Sequence, residues 1–397
     1  MNKVVSIIGQ GYVGLPLAIL IAQKNFKVFG IDQSVEKVNA LNSGKSLVED
    51  VTNEKLRSIL KSGNYKATSD YNCIKESQVV IVCVPTPLTQ SKLPDLSFLE
   101  NSINQLAKFI TPGSLVIIES TIAPGTMRNL VNPIIQQEAG LTDEDFYLAY
   151  SPERIDPLNK VWTLESTPKL LAGMSQLAFK RVFEFYSEIF HSIVECSSVE
   201  IAEMAKLLEN SFRLVNISFF NEISILSNKI GIEVNEVISA ASTKPYGFMP
   251  FYPGLGAGGH CIPVDPIYLS NFAKNMSSST SMIELASQIN HNLPMYFVSR
   301  AEEMLNSLSG KRILIVGIAY KKNLSDVRES PAIVLIEALR SRSAAVFWHD
   351  DLVKSWNNED SVKVTSDYDL AIVATHHDYV QLDALSSIPV LDTSKST

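Results

Sequence analysis

The chain's most reactive candidate is a thiol. Cys261 ends the run Gly254-Leu255-Gly256-Ala257-Gly258-Gly259-His260-Cys261, and Asp265 follows four residues later. Four glycines ahead of a thiol allow the backbone to come close to a ligand. A thiolate adds to an aldehyde to give a hemithioacetal, and loss of hydride from that adduct leaves a thioester. Asp265 could hold a water or orient a lysine, whereas His260 is read as structural. Lys206 and Asn210 stand four apart in a stretch of helical periodicity, so they share a face. An ammonium and an amide N–H aimed at one oxygen would stabilise a developing oxyanion. In Ser151-Pro152-Glu153-Arg154, Glu153 could activate a water for thioester hydrolysis; an ion pair with Arg154 is the competing reading.

A second constellation opens the chain. Gly9-Gln10-Gly11-Tyr12-Val13-Gly14 fits G-x-G-x-x-G, a weak match alone. Here it follows a predicted strand and opens a predicted helix, and Asp32 ends the next strand at the expected distance. Gly9 suits the tight turn, Gly11 a close approach of backbone to pyrophosphate, and Gly14 helix-on-strand packing. A helix N-terminus favours phosphate. Asp32 can accept from ribose hydroxyls and would repel a 2′-phosphate, so NAD is expected rather than NADP. Thr86 and Thr121 follow later strands on the same face, as cofactor or substrate contacts or as plain turn formers.

These residues need a scaffold. Apolar, β-branched runs predict buried strands at 3–8, 26–31, 79–84 and 115–119, with a helix over 14–24. Strands alternating with helices imply an α/β fold with a doubly wound parallel sheet. The spacing of Ala202, Ala205, Leu208, Phe212 and Val215 predicts an unusually long helix over 199–230, either a domain spine or a subunit interface. Residues 244–259 are dense in Gly, Pro and aromatics and read as a shaped loop; 281–306 reads as helix. A smaller α/β unit follows, with strands near 311–316, 346–349, 370–374 and 390–391. Its Lys321 and Arg328 are local cations suited to diphosphates.

The chain has 397 residues, a net charge of −8 and four cysteines. That length implies two or three domains. The acidic balance argues against a nucleic-acid surface. The cysteines show no metal spacing, so a reduced, cytoplasmic, metal-free chain is expected. No run is long and apolar enough to suggest a membrane span. The opening MNKVVSIIGQGYVG reads as a buried first strand rather than a signal peptide.

Together GQGYVG, STIAPGT, YSPER, EMAKLLEN, GAGGHCIPVD and AYKKNLSDVRESP resemble the UDP-glucose/GDP-mannose dehydrogenase family over essentially the whole chain. The resemblance implies two Rossmann-like domains joined by a central helical domain: an NAD-binding domain at 1–195, a helical dimerisation domain at 196–305 and a nucleotide-sugar domain at 306–397. It implies a homodimer that oxidises a UDP-sugar CH2OH to a carboxylate, as a precursor for surface polysaccharide. Cys261 would be nucleophile, Lys206, Asn210 and Asp265 its polar partners, Glu153 the hydrolysis base and Thr121 a neighbour of the water. The residues assigned to the cofactor are Gly9, Gly11, Tyr12, Val13, Gly14, Asp32, Lys37, Thr86, Thr121 and Arg328. Those assigned to the substrate are Glu153, Arg154, Lys206, Asn210, Lys244, Tyr246, Gly258 and Lys321, with Lys244 and Tyr246 reaching the partner subunit's substrate.

Within that family YSPERIDP and TKPYGFMPFYPGLGAGGHCIPVDP look most like enzymes acting on UDP-N-acetylhexosamines, above all UDP-N-acetylglucosamine. Leu158 and Leu255 depart from the family pattern, where Gly and Pro are common, and a family C-terminal tail is expected to be absent. Two other classes compete. A two-electron hydroxyacid dehydrogenase leaves Cys261 and the third domain without a role. A non-catalytic NAD-binding protein leaves the whole chemical set without one.

Overall fold

A computed structural model describes residues 4–395 apart from 157, 160 and 381; Lys3, the predicted start of the first strand, lies outside the described residues. The chain divides into two compact units, Met1–Leu208 and Glu209–Thr397.

In the first unit the central apolar runs form strands buried on both faces, and the edge strands Tyr65–Thr68 and Ile193–Glu195 are partly exposed. The strands are β1 (Val4–Ile8), β2 (Lys27–Ile31), β3 (Tyr65–Thr68), β4 (Val79–Val82), β5 (Leu115–Ile118), β6 (Tyr147–Tyr150), β7 (Lys169–Gly173) and β8 (Ile193–Glu195). The sheet order is β3-β2-β1-β4-β5-β6-β7-β8. Pairing is parallel from β3 through β6, turns antiparallel between β6 and β7, and is parallel again between β7 and β8. The order reverses at β1/β4, the switch point where open α/β sheets bind ligands beyond their strands' carboxyl ends. Two apolar layers sandwich the sheet, one built around helix Gly14–Gln23 and one around helix Ser97–Ala107.

The second unit carries a four-stranded parallel sheet in the order Ala345–His349, Arg312–Val316, Leu370–Val373, Val390–Asp392. Helix Ser281–Leu305 packs Leu293, Phe297 and Ala301 into the same core as Ile313, Ile336 and Leu339. That shared core explains why helix and sheet form one unit.

Helix Val199–Ile230 runs unbroken for 32 residues, and its polarity is inverted. Ile201, Met204, Leu208, Phe212, Phe219, Leu226 and Ile230 are all exposed. At 3.6 residues per turn they fall within roughly a quarter-turn of one another, a continuous apolar stripe. Glu203, Lys206, Asn210 and Asn221 fall on the opposite side, and all are buried.

One buried polar pair anchors the second unit. The Asp350 carboxylate accepts from the backbone N–H groups of Ile318, Ala319, Leu352 and Val353 and meets His377 Nε2 at 3.0 Å. His377 Nδ1 accepts from Asn323 N–H at 2.9 Å, which places the ring proton on Nε2. Burial alone would raise the Asp350 pKa; His377 and the backbone donors overcome it and hold it at about 2. The folded value lies below the unfolded one, so this carboxylate stabilises the fold above pH ~4 and the contribution is lost as pH falls towards 2. Asp350→Ala should cost about 3–5 kcal/mol of stability near neutral pH. Urea denaturation of both proteins measures this, and a loss below about 1 kcal/mol would show that the pair is not an anchor.

Candidate active site

The cofactor loop folds as its glycines require. A Cβ at Gly14 would sit 1.8 Å from Gly9 O, whereas one at Gly11 would meet nothing within 4 Å. Gly14 is therefore needed for helix-on-loop packing, and Gly11 leaves open space at the loop surface. Val13 stands at the cap position of helix Gly14–Gln23, and no side chain caps that end, so an anion can take the role. The loop is braced from below: Gln10 Nε2 donates to Ile7 O and Tyr65 OH donates to Gln10 Oε1. Asp32 follows β2, is 7% exposed and accepts from Gln10 N, Ser34 N and Lys37 Nζ at 3.0, 3.0 and 2.8 Å. Lys37 thus neutralises Asp32. These residues fit a dinucleotide: donors and open space for the pyrophosphate, a carboxylate for ribose hydroxyls.

Thr86, Thr121 and Glu153 lie just past the carboxyl ends of the neighbouring strands β4, β5 and β6. The segment after Thr121 is held by a residue the sequence reading missed. Glu203 accepts from Gly125 N at 2.6 Å and Met127 N at 2.9 Å, at the head of the π-helical turn Met127–Val131. Burial, helped by the neighbouring Glu200, pushes the Glu203 carboxyl up to about 7 against the pull of its two backbone donors and Arg128.

Glu153 is placed by charge. Its Oε1 accepts from Arg154 N and Ile155 N at 2.7 and 2.6 Å, and its Oε2 from Lys169 Nζ at 2.9 Å. Lys169 also donates to Glu119 Oε2 at 2.8 Å, and Tyr186 OH donates to Glu119 Oε1. The ion pair on Glu153 is therefore with Lys169; the Arg154 guanidinium donates to Pro168 O at 2.7 Å. Burial acts to raise the Glu153 pKa, but Lys169, Lys206 and the backbone donors outweigh it and hold the carboxyl below its ordinary value. A charged residue inside the apolar strand Lys169–Gly173 was the available signal for this cluster. Lys206 is 7% exposed, and among the described residues no hydrogen bond or ion pair occupies its ammonium.

The second unit holds the cysteine. Asn210 Nδ2 donates to Asp265 Oδ2 at 2.5 Å, and Asp265, buried at the start of helix Asp265–Asn275, donates its own N–H to Cys261 O at 2.8 Å. Cys261 itself is exposed. Two of the glycines before it are needed for packing within the unit. A Cβ at Gly258 would lie 2.6 Å from Glu329 O, and one at Gly259, where φ is +84°, 2.7 Å from the Tyr320 ring. The close approach is to the Tyr320–Pro331 segment of the same unit. Two asparagines not foreseen from the sequence hold the loop. Asn221 Oδ1 accepts from Gly254 N, and the Asn290 amide both accepts from Ala257 N and donates to Ala257 O. His260 Nε2 lies 3.5 Å from Asp326 Oδ2, in keeping with a structural role.

Arg328 is engaged twice with Asp326, through Nε at 2.9 Å and Nη2 at 2.6 Å. Burial opposes ionisation of Asp326, yet the bonds from His260 and Arg328 keep it well below the usual carboxylate range. Lys321 is half-buried beside this turn. Lys244 and Tyr246 are exposed and stack on each other, ammonium 5.0 Å from the ring centre. A cleft of about 220 Å³ opens at the carboxyl ends of the small sheet, lined by Gly254, Leu255, Tyr320, Lys322, Thr375 and His376 among others. Among the described residues no cluster of His, Cys, Asp and Glu is arranged to hold a metal ion.

Comparison with known proteins covers the whole length. Residues 3–194 match the NAD binding domain of the UDP-glucose/GDP-mannose dehydrogenase family, 200–292 its central domain and 314–394 its UDP binding domain. The chain is 34% identical over 379 residues to a UDP-N-acetyl-D-mannosamine dehydrogenase of Pyrococcus horikoshii, spanning 94% of this chain and 89% of that one. It is 32% identical over 393 residues to a UDP-N-acetyl-D-glucosamine 6-dehydrogenase of Salmonella typhi, again spanning 94% and 89%. The solved structure of a UDP-D-ManNAc dehydrogenase from Pyrococcus horikoshii superposes with a TM-score of 0.91 at 33% identity, over 100% of this chain and 96% of that one.

The geometry around Asp32 predicts a cofactor preference. A 2′-phosphate would meet this carboxylate, whose lysine is already paired, so kcat/KM should favour NAD over NADP by roughly tenfold or more, since 1.4 kcal/mol is tenfold. Asp32→Ala should narrow that ratio. Equal values for the two cofactors in the unaltered protein would remove the role given to Asp32.

Proposed function

This chain belongs to the UDP-glucose/GDP-mannose dehydrogenase family and is an NAD-dependent nucleotide-sugar dehydrogenase, and from that premise we propose that it oxidises the C6 CH2OH of UDP-N-acetylglucosamine to the uronic acid, through Cys261. The product is a precursor for surface polysaccharide. The observation that carries the chemistry is Lys206: a buried ammonium that, among the described residues, no hydrogen bond or ion pair occupies, one helical turn from an Asn210 that is tied to Asp265. A charge so buried is costly unless something answers it, and a developing alkoxide or oxyanion does.

Bound NAD accepts the hydrides. The chain's own residues do the rest. Lys206 and Asn210 stabilise the alkoxide and each tetrahedral oxyanion. Cys261 captures the aldehyde as a hemithioacetal, whose oxidation leaves a thioester. Glu153 takes a proton from the hydrolytic water near Thr121, and Asp265 orients Asn210. The cleft at the end of the small sheet takes the nucleotide diphosphate, with Lys321 beside it. Accordingly 1–195 serves the cofactor, 196–305 dimerisation and 306–397 the nucleotide sugar. We place the protein in the cytoplasm: its four cysteines are free, and among the described residues no helix is long and apolar enough to cross a membrane.

The N-acetylhexosamine reading is supported by relatives named for UDP-N-acetylglucosamine and UDP-N-acetylmannosamine, so UDP-N-acetylmannosamine is the second candidate. NADH release with these two sugars, UDP-glucose and GDP-mannose tests the choice; two NADH per sugar with UDP-N-acetylglucosamine preferred is expected, and preference for another sugar overturns it. In the same assay Cys261→Ser should still bind NAD but stall as a covalent ester adduct visible by intact-mass spectrometry, or release very little acid. Two NADH and one acid at near the normal rate from that variant would reduce Cys261 to a packed loop residue.

The exposed stripe on helix Val199–Ile230 is the dimer surface. Seven large apolar side chains in one line are more than a stable monomer leaves in water. Light scattering of the dilute active enzyme should give a dimer or a larger assembly, and a fully active monomer would refute this.

A further inference from the structure

Behind Glu153 lies a buried chain of polar groups that the mechanism above leaves unused. Glu153 bonds Lys169, Lys169 bonds Glu119, and Tyr186 donates to Glu119. The side chains of Lys169 and Glu119 are 3% and 0% exposed, whereas Glu153 keeps 10% of its side chain accessible. Glu153 is thus the outer end of the chain and Glu119 the inner. Aromatic rings wall it, with Phe190 5.3 Å and Tyr186 5.9 Å from the Lys169 ammonium. Two carboxylates share one ammonium, so the trio as a whole has room for one more proton.

We propose that Lys169, Glu119 and Tyr186 form a proton relay that takes up, at Glu119, the proton Glu153 receives from the hydrolytic water. The proposal rests on the thioester reading above. In the step, a water O–H bond breaks, its oxygen bonds to the thioester carbon, and the C–S bond then opens to return the Cys261 thiolate. The water's proton passes to Glu153. Glu153 hands it to Lys169 Nζ as Lys169 gives one of its own protons to Glu119 Oε2. Lys169 ends as it began, one proton has moved inward, and no electrons have moved.

The direction of transfer follows from the surroundings. Among the described residues four titratable groups face Glu119: Lys169 on β7, Glu153 beyond β6, Tyr186 on helix Gln176–Tyr186 and Cys83 beyond β4. Burial pushes the Cys83 thiol and the Tyr186 hydroxyl well above their ordinary values, so both stay neutral. Burial also lifts Glu119 to about 7, against the pull of Lys169. Glu153, held below its ordinary value, is a poor resting place for a proton, and Glu119 a better one. A carboxylate poised near neutrality can accept at working pH and empty again between turnovers.

Lys169 and Glu119 are positioning and proton-holding groups, so the test must separate them from mere packing. The hydrolysis step in the unaltered enzyme should slow as pH falls through about 7, where Glu119 fills. Glu119→Gln, close in shape, should leave the first hydride transfer intact while thioester accumulates in acid-quenched samples, with that acid limb abolished. Tyr186→Phe removes a donor that favours the ionised carboxylate, so the limb should move to higher pH by about one unit. Loss of packing alone would lower both hydride phases together and leave the limb where it was. An unmoved limb in Tyr186→Phe, or a Glu119→Gln enzyme with the normal limb, overturns the relay. The Cys261→Ser adduct reports separately on the underlying chemistry. An adduct with unmoved pH profiles removes the relay alone; no adduct removes the thioester route and the relay with it.

Discussion

One helix has to bury its polar side. Along Val199–Ile230, Glu203, Lys206, Asn210 and Asn221 occupy the face turned into protein, and the opposite face exposes Phe, Leu and Ile. Each buried group answers to a different segment. Glu203 caps the turn after the Thr121 loop, Lys206 adds to the field on Glu153, Asn210 fixes Asp265 and Asn221 fixes Gly254. A buried polar group without such a partner costs free energy comparable to a lost hydrogen bond or more. Three of the side chains that make the helix expensive to bury, Glu203, Asn210 and Asn221, therefore set where three loops must lie. The ammonium of Lys206 is the exception: among the described residues no hydrogen bond or ion pair occupies it.

The sequence showed clearly those features whose cause is local. Gly9, Gly11, Gly14 and Asp32 sit within one strand-turn-helix-strand unit, and the long apolar runs became β1, β4 and β5 nearly as expected, the fourth strand ending at Val82 rather than 84. Cys261, Lys206, Asn210 and Asp265 stood out because their residue types are rare in such surroundings, and Asn210 and Asp265 are brought into contact. What stayed hidden depends on tertiary contacts. Lys169 lies sixteen residues from Glu153 and fifty from Glu119, and spacing of that kind has no periodicity to reveal it. The antiparallel turn at β7 and the three-residue, largely exposed β8 carry too little apolar pattern to register. The glycines of the cysteine loop were visible, yet their purpose was not: which backbone they approach is set by Tyr320, some sixty residues away.

Pro294 shows how local rule-breaking can be useful. It interrupts helix Ser281–Leu305 and has no N–H to give to the carbonyl of Asn290, four residues earlier. Asn290 is the residue whose side chain holds both sides of the Ala257 peptide. The weak point of the helix and the brace of the cysteine loop thus coincide, which joins the loop to the core of the second unit.

The triad of Lys169, Glu119 and Glu153 also bears on how this sequence can change over generations. Removing Lys169 leaves two carboxylates in the interior with no ammonium between them, a loss of several kcal/mol that can take much of a domain's margin. Exchanging all three for apolar residues of similar volume need cost little in stability. The interior here is therefore a ratchet. A first step that removes the lysine is closed by misfolding, whereas one carboxylate can be neutralised alone and leave a matched pair. Relatives that keep Lys169 should keep at least one of the two carboxylates, and lineages lacking Lys169 should have rebuilt this interior as a set.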